Sequence, residues 1–224
     1  MTKGMLVKMK EYSGLPEYKI WLIGDSNPKS GKKIEYPLDK RHPTRHNIWT
    51  SILDEIQDYI YRSCCKDKSY PKRLDAKKIY IRNAVESRYD RASSNSLNWR
   101  KEGLNKKLCV LSDLIGDYKP MIIITFGQFS YEFTRRACKE DNVCFKYWTK
   151  VKLGNEFRER LENFNISSIN IIPLLHNVIS QGDYTGAGEE FIGNESIKCS
   201  YFEYVGERIG ELFYKYREEL DIWI

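Results

Sequence analysis

Residues 19–28 read KIWLIGDSNP, and the fold turns on them. Ile20, Trp21, Leu22 and Ile23 form a short unbroken apolar run, the pattern of a strand buried on both faces. The run stops at Gly24, and Asp25, Ser26, Asn27 and Pro28 follow. In open α/β sheets, ligands bind in the crevice beyond the carboxyl ends of the strands, so a carboxylate and an amide at this point are placed for chemistry. Asp, Ser, Asn and Pro are also ordinary turn residues, which is the competing reading of the same stretch.

Three more segments repeat the pattern downstream. Ile79-Tyr80-Ile81 runs into Arg82-Asn83, Met121 to Thr125 leads to Gly127, and Ile169 to Leu175 ends at His176-Asn177. Helical periodicity fills the gaps. It begins after Asn47, a candidate N-cap, with Ile48, Trp49, Ile52, Ile56, Tyr59 and Ile60. Between residues 98 and 117 the apolar face is Leu104, Leu108, Leu111, Leu114 and Ile115. Residues 128–138 and 155–163 read as two shorter helices. A last one, at 198–219, carries Phe202, Val205, Ile209, Leu212, Phe213 and Tyr216. The glycines at 182, 186, 188 and 193 read as a loop. Strands alternating with helices predict a single α/β domain over residues 1–224: a three-layer α/β/α sandwich around a central, mainly parallel four-stranded sheet.

Composition narrows the function classes. A chain of 224 residues can bury a full core as one domain. Its formal charge of +6 suits a polyanionic partner. The six cysteines form no C-x-x-C pair and lack zinc or iron–sulfur spacing, so neither a metal nor a cofactor is expected. Scattered cysteines without a signal peptide fit a reducing cytoplasm, and no run approaches the length of a membrane span. A P-loop at Ser30-Gly31-Lys32-Lys33 fails, because Gly24 and Gly31 are too far apart and no hydroxyl follows the lysine.

In order, these strand ends resemble the motifs of the uracil-DNA glycosylase superfamily. The counterparts are Gly24 to Pro28 for the water-positioning motif and Ile81 to Val85 for the strand ending in a base-reading Asn. Lys119 to Gly127 corresponds to KPxxIIxxG, and Leu175 to Val178 to the His-containing motif. The resemblance spans roughly Trp21 to Ser180. Anchored on Gly24, Asp25 matches an acidic residue found in some branches; anchored on Pro28, Asn27 matches the Asn of others. Asn177 stands where the family has Pro after His. Lys29 replaces the tyrosine that excludes bulkier pyrimidines in the strictest uracil enzymes, which leaves room for a larger base.

The resemblance implies a monofunctional DNA glycosylase that flips out a base and hydrolyses its N-glycosidic bond, leaving an abasic site. Asp25 would orient the water and stabilise the cationic sugar, Asn27 would be a second polar contact, and His176 would donate a hydrogen bond to the departing base. Asn83 would read the base edge and Tyr36 would stack beneath it. Lys29, Lys32, Lys33, Arg41 and Arg45 would track phosphates, with His42 and His46 nearby, and Val178 or Ile179 would be the duplex wedge. The expected partner of this monomer is DNA, not a membrane. The base would be uracil or a bulkier modified pyrimidine such as glucosylated hydroxymethylcytosine of phage DNA, in repair or in anti-phage defence. A non-catalytic DNA-binding scaffold and a nucleoside or nucleotide hydrolase are the alternatives.

Overall fold

A computed structural model describes residues 10–27, 35–39, 45–70, 72–92, 96–99, 102–180, 183–195 and 199–224. Four parallel strands, β2 (Ile20–Gly24), β3 (Ile79–Asn83), β4 (Ile122–Phe126) and β5 (Asn170–Leu174), form the body of a mixed five-stranded sheet. The fifth, β1 (Tyr12–Ser13), pairs antiparallel with β3 at the sheet edge. The sheet therefore has one strand more than its apolar runs predict. Two residues, Tyr12 and Ser13, make no periodic signal, and it is their partner strand that recruits them. Strand order is β1-β3-β2-β4-β5. Pro173 lies in β5, the outer strand, where its missing N–H costs no ladder bond on the open side.

Alternation along the strands divides the core in two. Ile20, Leu22, Ile122 and Ile124 face one cluster, while Trp21, Ile23, Tyr80 and Ile123 face the other. The larger cluster is closed by α1 (Ser51–Lys66), α4 (Lys150–Glu162), α5 (Ala187–Ile192) and α6 (Tyr201–Lys215). The smaller is closed by α2 (Glu102–Tyr118) and α3 (Gln128–Ala137) with Trp99 and Phe145. The main helices keep their predicted faces: Ile52, Ile56 and Ile60 in α1, Leu104, Leu111 and Ile115 in α2, and Phe202, Val205, Ile209, Leu212 and Phe213 in α6 are all buried.

Three local expectations change. Asn47 lies inside a π-helical turn, His46–Thr50, that runs into α1, so it does not begin the helix. This turn sends both Ile48 and Trp49 into the core. α4 starts at Lys150, where the side chain of Thr149 accepts from the Lys152 N–H at 3.3 Å. The glycine-rich stretch holds a two-stranded hairpin, β6 (Ile179–Ser180) and β7 (Asp183–Tyr184), and then α5.

Candidate active site

β2 is flanked by β3 on one side and β4 on the other, so the chain reverses its direction of travel across the sheet between β2 and β4. Helices diverge at such a switch point and leave a crevice at the carboxyl ends of the strands. Asp25 follows β2 there, Asn83 ends β3, Gly127 follows β4, and His176 lies just beyond β5.

The β2 and β3 ends remain tied past the ladder. The Ala84 N–H donates to the Gly24 carbonyl at 2.9 Å, Val85 to Asp25 at 3.2 Å, and Asn27 to Glu86 at 3.1 Å. These bonds fix the backbone on both sides of Asp25. Its Oδ2 accepts from Arg91 Nη1 at 2.8 Å, and its Oδ1 is buried with no hydrogen bond among the described residues. Arg91 comes from a segment with no strand or helix signal. Ser87 caps a one-turn 3₁₀ helix there, Arg88–Asp90, accepting from the Tyr89 N–H while Asp90 accepts from the Ser87 N–H. The turn delivers Arg91 to Asp25, with its guanidinium carbon 5.8 Å from the ring centre of Phe129 on α3. The S-x-x-D pattern of Ser87 and Asp90 is the one sequence signal that marks this position as ordered.

His176 is held from two sides. The backbone N–H of Leu175 donates to the hydroxyl of buried Tyr201 at 2.8 Å, so α6 fixes the chain where it leaves β5. Gly127 adopts φ of 91°, and a Cβ on it would lie 3.0 Å from the His176 Cβ. Only glycine suits both demands. Solvent reaches His176, but the protein around it lowers its pKa below the ordinary 6.5 through burial. Asp25 opposes that shift and Arg91 adds to it. The lowered pKa favours the neutral imidazole, and the ring is electrostatically linked to the Asp25–Arg91 pair.

Asn83, expected to read a base edge, is bonded to the other amide of the site. Its Nδ2 donates to Asn27 Oδ1 at 2.7 Å, and its Oδ1 folds over Gly24, where a Cβ would come within 2.1 Å of it. Asn83 thus orients Asn27 with one of its two amide N–H groups. The two amides line a cavity of about 160 Å³ together with Lys10, Arg82, Glu86 and Lys107.

The remaining expectations divide. Tyr36 lines a different depression, with Tyr12 and Gly14 on the β1 side, and is not in the cavity with Asn27 and Asn83. Arg45 donates to the Leu38 carbonyl at 2.8 Å and so braces its own loop. Val178 is 2% exposed within the larger core and Ile179 packs against the same cluster; hairpin formation turns them inward, and Val178 presents no wedge. Lys29, Lys32, Lys33, Arg41 and His42 lie outside the described residues. Among the described residues, no group of three His, Cys, Asp or Glu side chains is placed to hold a metal ion, and no helix is long and apolar enough to cross a membrane.

Comparison with known protein families found no family model that matches this chain, and comparison with curated proteins found no match.

Proposed function

We propose that this chain is a monofunctional DNA glycosylase of the uracil-DNA glycosylase type, acting on uracil or a bulkier modified pyrimidine in DNA repair or anti-phage defence. The observation that carries the reading is that Asp25 and His176 stand beyond the carboxyl ends of β2 and β5 on one edge of the sheet and influence each other electrostatically, Asp25 fixed by backbone bonds to the β3 end and His176 by Tyr201 and Gly127. Base hydrolysis develops positive charge on the sugar and negative charge on the base, and a site with a carboxylate and a neutral donor meets both needs.

In this reading the bond between C1′ and the base nitrogen breaks and its electron pair leaves with the base. Asp25 stabilises the sugar cation and orients the attacking water. The water oxygen bonds to C1′, and the proton it loses balances the one gained by the departing base. His176 donates a hydrogen bond to the base oxygen as charge builds there; a neutral imidazole does so without giving up its proton. Asn27, oriented by Asn83, supplies an amide for the base edge. No lysine follows directly on the carboxyl end of a parallel strand among the described residues, and the proposal includes no Schiff-base lyase step.

The test is base release, read by mass spectrometry, from DNAs carrying uracil, hydroxymethylcytosine, glucosylated hydroxymethylcytosine or a thymine mismatch. Asp25→Ala is expected to lower release by about 10²–10³-fold while DNA binding persists. Binding of every DNA with release from none would favour the scaffold reading. Hydrolysis of free nucleosides in preference to DNA would favour a nucleoside hydrolase.

A further inference from the structure

The Asp25–Arg91 pair is at odds with the work assigned to Asp25. A carboxylate stabilises an adjacent cation by its net charge, and a guanidinium 2.8 Å away cancels much of that field. If Arg91 stayed in place during bond breaking, it would oppose the positive sugar directly. The contact is also not the bidentate fork that locks Arg to a carboxylate, because Asp25 Oδ1 takes no part in it. Arg91 keeps 35% of its side chain exposed while Asp25 keeps 15%, so the guanidinium is the more solvent-accessible member of the pair.

We propose that Arg91 is a phosphate-sensing specificity residue: a backbone phosphate of a bound strand draws its guanidinium off Asp25, so that the carboxylate acts only on a nucleotide held in a polynucleotide. The proposal rests on the glycosylase reading and names its substrate class, a strand and not a free nucleoside. Arginine suits the exchange, since its planar fork accepts a phosphate as readily as a carboxylate. Its foothold is local: the Ser87-capped turn orders the backbone up to Arg91, whose N–H donates to the Arg88 carbonyl at 3.4 Å, and the side chain crosses the gap to Asp25. The guanidinium carbon lies 5.8 Å from the ring centre of buried Phe129, a second weak contact beside the one to Asp25. Withdrawal also changes the field at His176, which feels Asp25 and Arg91 with opposite sign. The switch therefore has a reporter in the site that does not depend on turnover.

Two measurements separate this inference from the function beneath it. The first compares hydrolysis of deoxyuridine and 5-hydroxymethyldeoxycytidine with base release from oligonucleotides carrying the same bases, in wild type, Arg91→Gln and Arg91→Lys. Wild type is expected to favour the strand strongly. Arg91→Gln is expected to raise nucleoside hydrolysis and lower strand cleavage, reducing the preference by at least about tenfold. Arg91→Lys, which keeps a phosphate-binding charge, is expected to fall between. Equal losses on strand and nucleoside in Arg91→Gln would overturn the proposal. The second follows the His176 imidazole by NMR in histidine-labelled protein; the chain has three histidines, and His176→Gln assigns the signal. Arg91→Gln is expected to raise the His176 pKa by about one unit, and ten-nucleotide oligothymidylate to shift wild type upward far more than the variant. An unshifted titration in the variant, or equal shifts with the oligonucleotide, would overturn the sensing role even if base release is intact. The expected His176 shifts with no base release from any DNA would instead sink the glycosylase reading.

Discussion

His176 carries a consequence that can be read in solution. Burial holds its folded pKa below 6.5, with Arg91 pushing the same way and Asp25 opposing. The unfolded chain takes up a proton near the ordinary value, while the folded one resists it. Stability is therefore undisturbed above that value, declines as pH falls through it, and stops declining below the folded pKa. In the proposed reaction the neutral ring is the working form. Base release is expected to be level from pH 7 upward and to fall on an acid limb whose midpoint lies below 6.5. A pH–rate profile checks this, and His176→Gln should flatten that limb along with reducing the rate. A limb centred above 6.5 would mean that Asp25 dominates Arg91 at the ring. Asp25 and His176 could be picked out from their positions after apolar runs. Arg91 could not: its role depends on a contact across 66 residues of sequence that no local pattern encodes.

At the scale of elements, the packing of α1 against α6 decides how well the Tyr201 end of α6 holds the β5 exit. Gly206 of α6 faces α1 so closely that a Cβ there would lie 2.2 Å from the Glu55 Cβ and 3.2 Å from the Ile52 carbonyl oxygen. Gly206→Ala would gain helix propensity but force the two helices apart, and the second effect is larger. We expect a loss of about 1–3 kcal/mol, measured by urea denaturation. The glycines after His176 show the same physics from the other side. Read along the sequence they mark a loop, but Gly188 sits within α5 because Tyr201 packs over it, and Gly154 of α4 allows the Phe191 backbone of α5 to approach. Glycine signals a break when only the chain is considered and a close contact when a neighbour is present.

Over the whole molecule, two carboxylates among the described residues are entirely inside, Asp39 and Glu132, and the second holds the larger network. Glu132 on α3 is fully buried and meets Arg136 at 2.7 Å, Arg135 at 3.1 Å, the Trp148 indole N–H at 2.9 Å and the Val143 N–H at 2.9 Å. It fastens the connection between α3 and α4 to the body of the domain. Removing it would leave the Trp148 indole and the Val143 N–H without their acceptor and strip Arg135 and Arg136 of a buried counter-charge, so Glu132→Ala is expected to cost about 3–5 kcal/mol. The denaturation midpoint should fall while the slope of the transition stays the same, because the exposed surface on unfolding is little altered. Glu132→Gln, which keeps the shape and loses the charge, should recover part of the difference.

The four central strands and the faces of α1, α2 and α6 are legible in the chain because hydrophobic period depends on local geometry: side chains alternate along a strand and recur every three to four residues on a helix. Asp25, Asn83 and His176 were legible as strand-end residues for the same reason. Tertiary structure alone decided what they touch. It gave Asn83 to Asn27, turned Val178 into the core, added β1 to the sheet edge, and set Arg91 on Asp25. Those outcomes are contacts between distant segments, and their energies depend on which groups the fold brings within a few ångströms, a property no single stretch of sequence possesses.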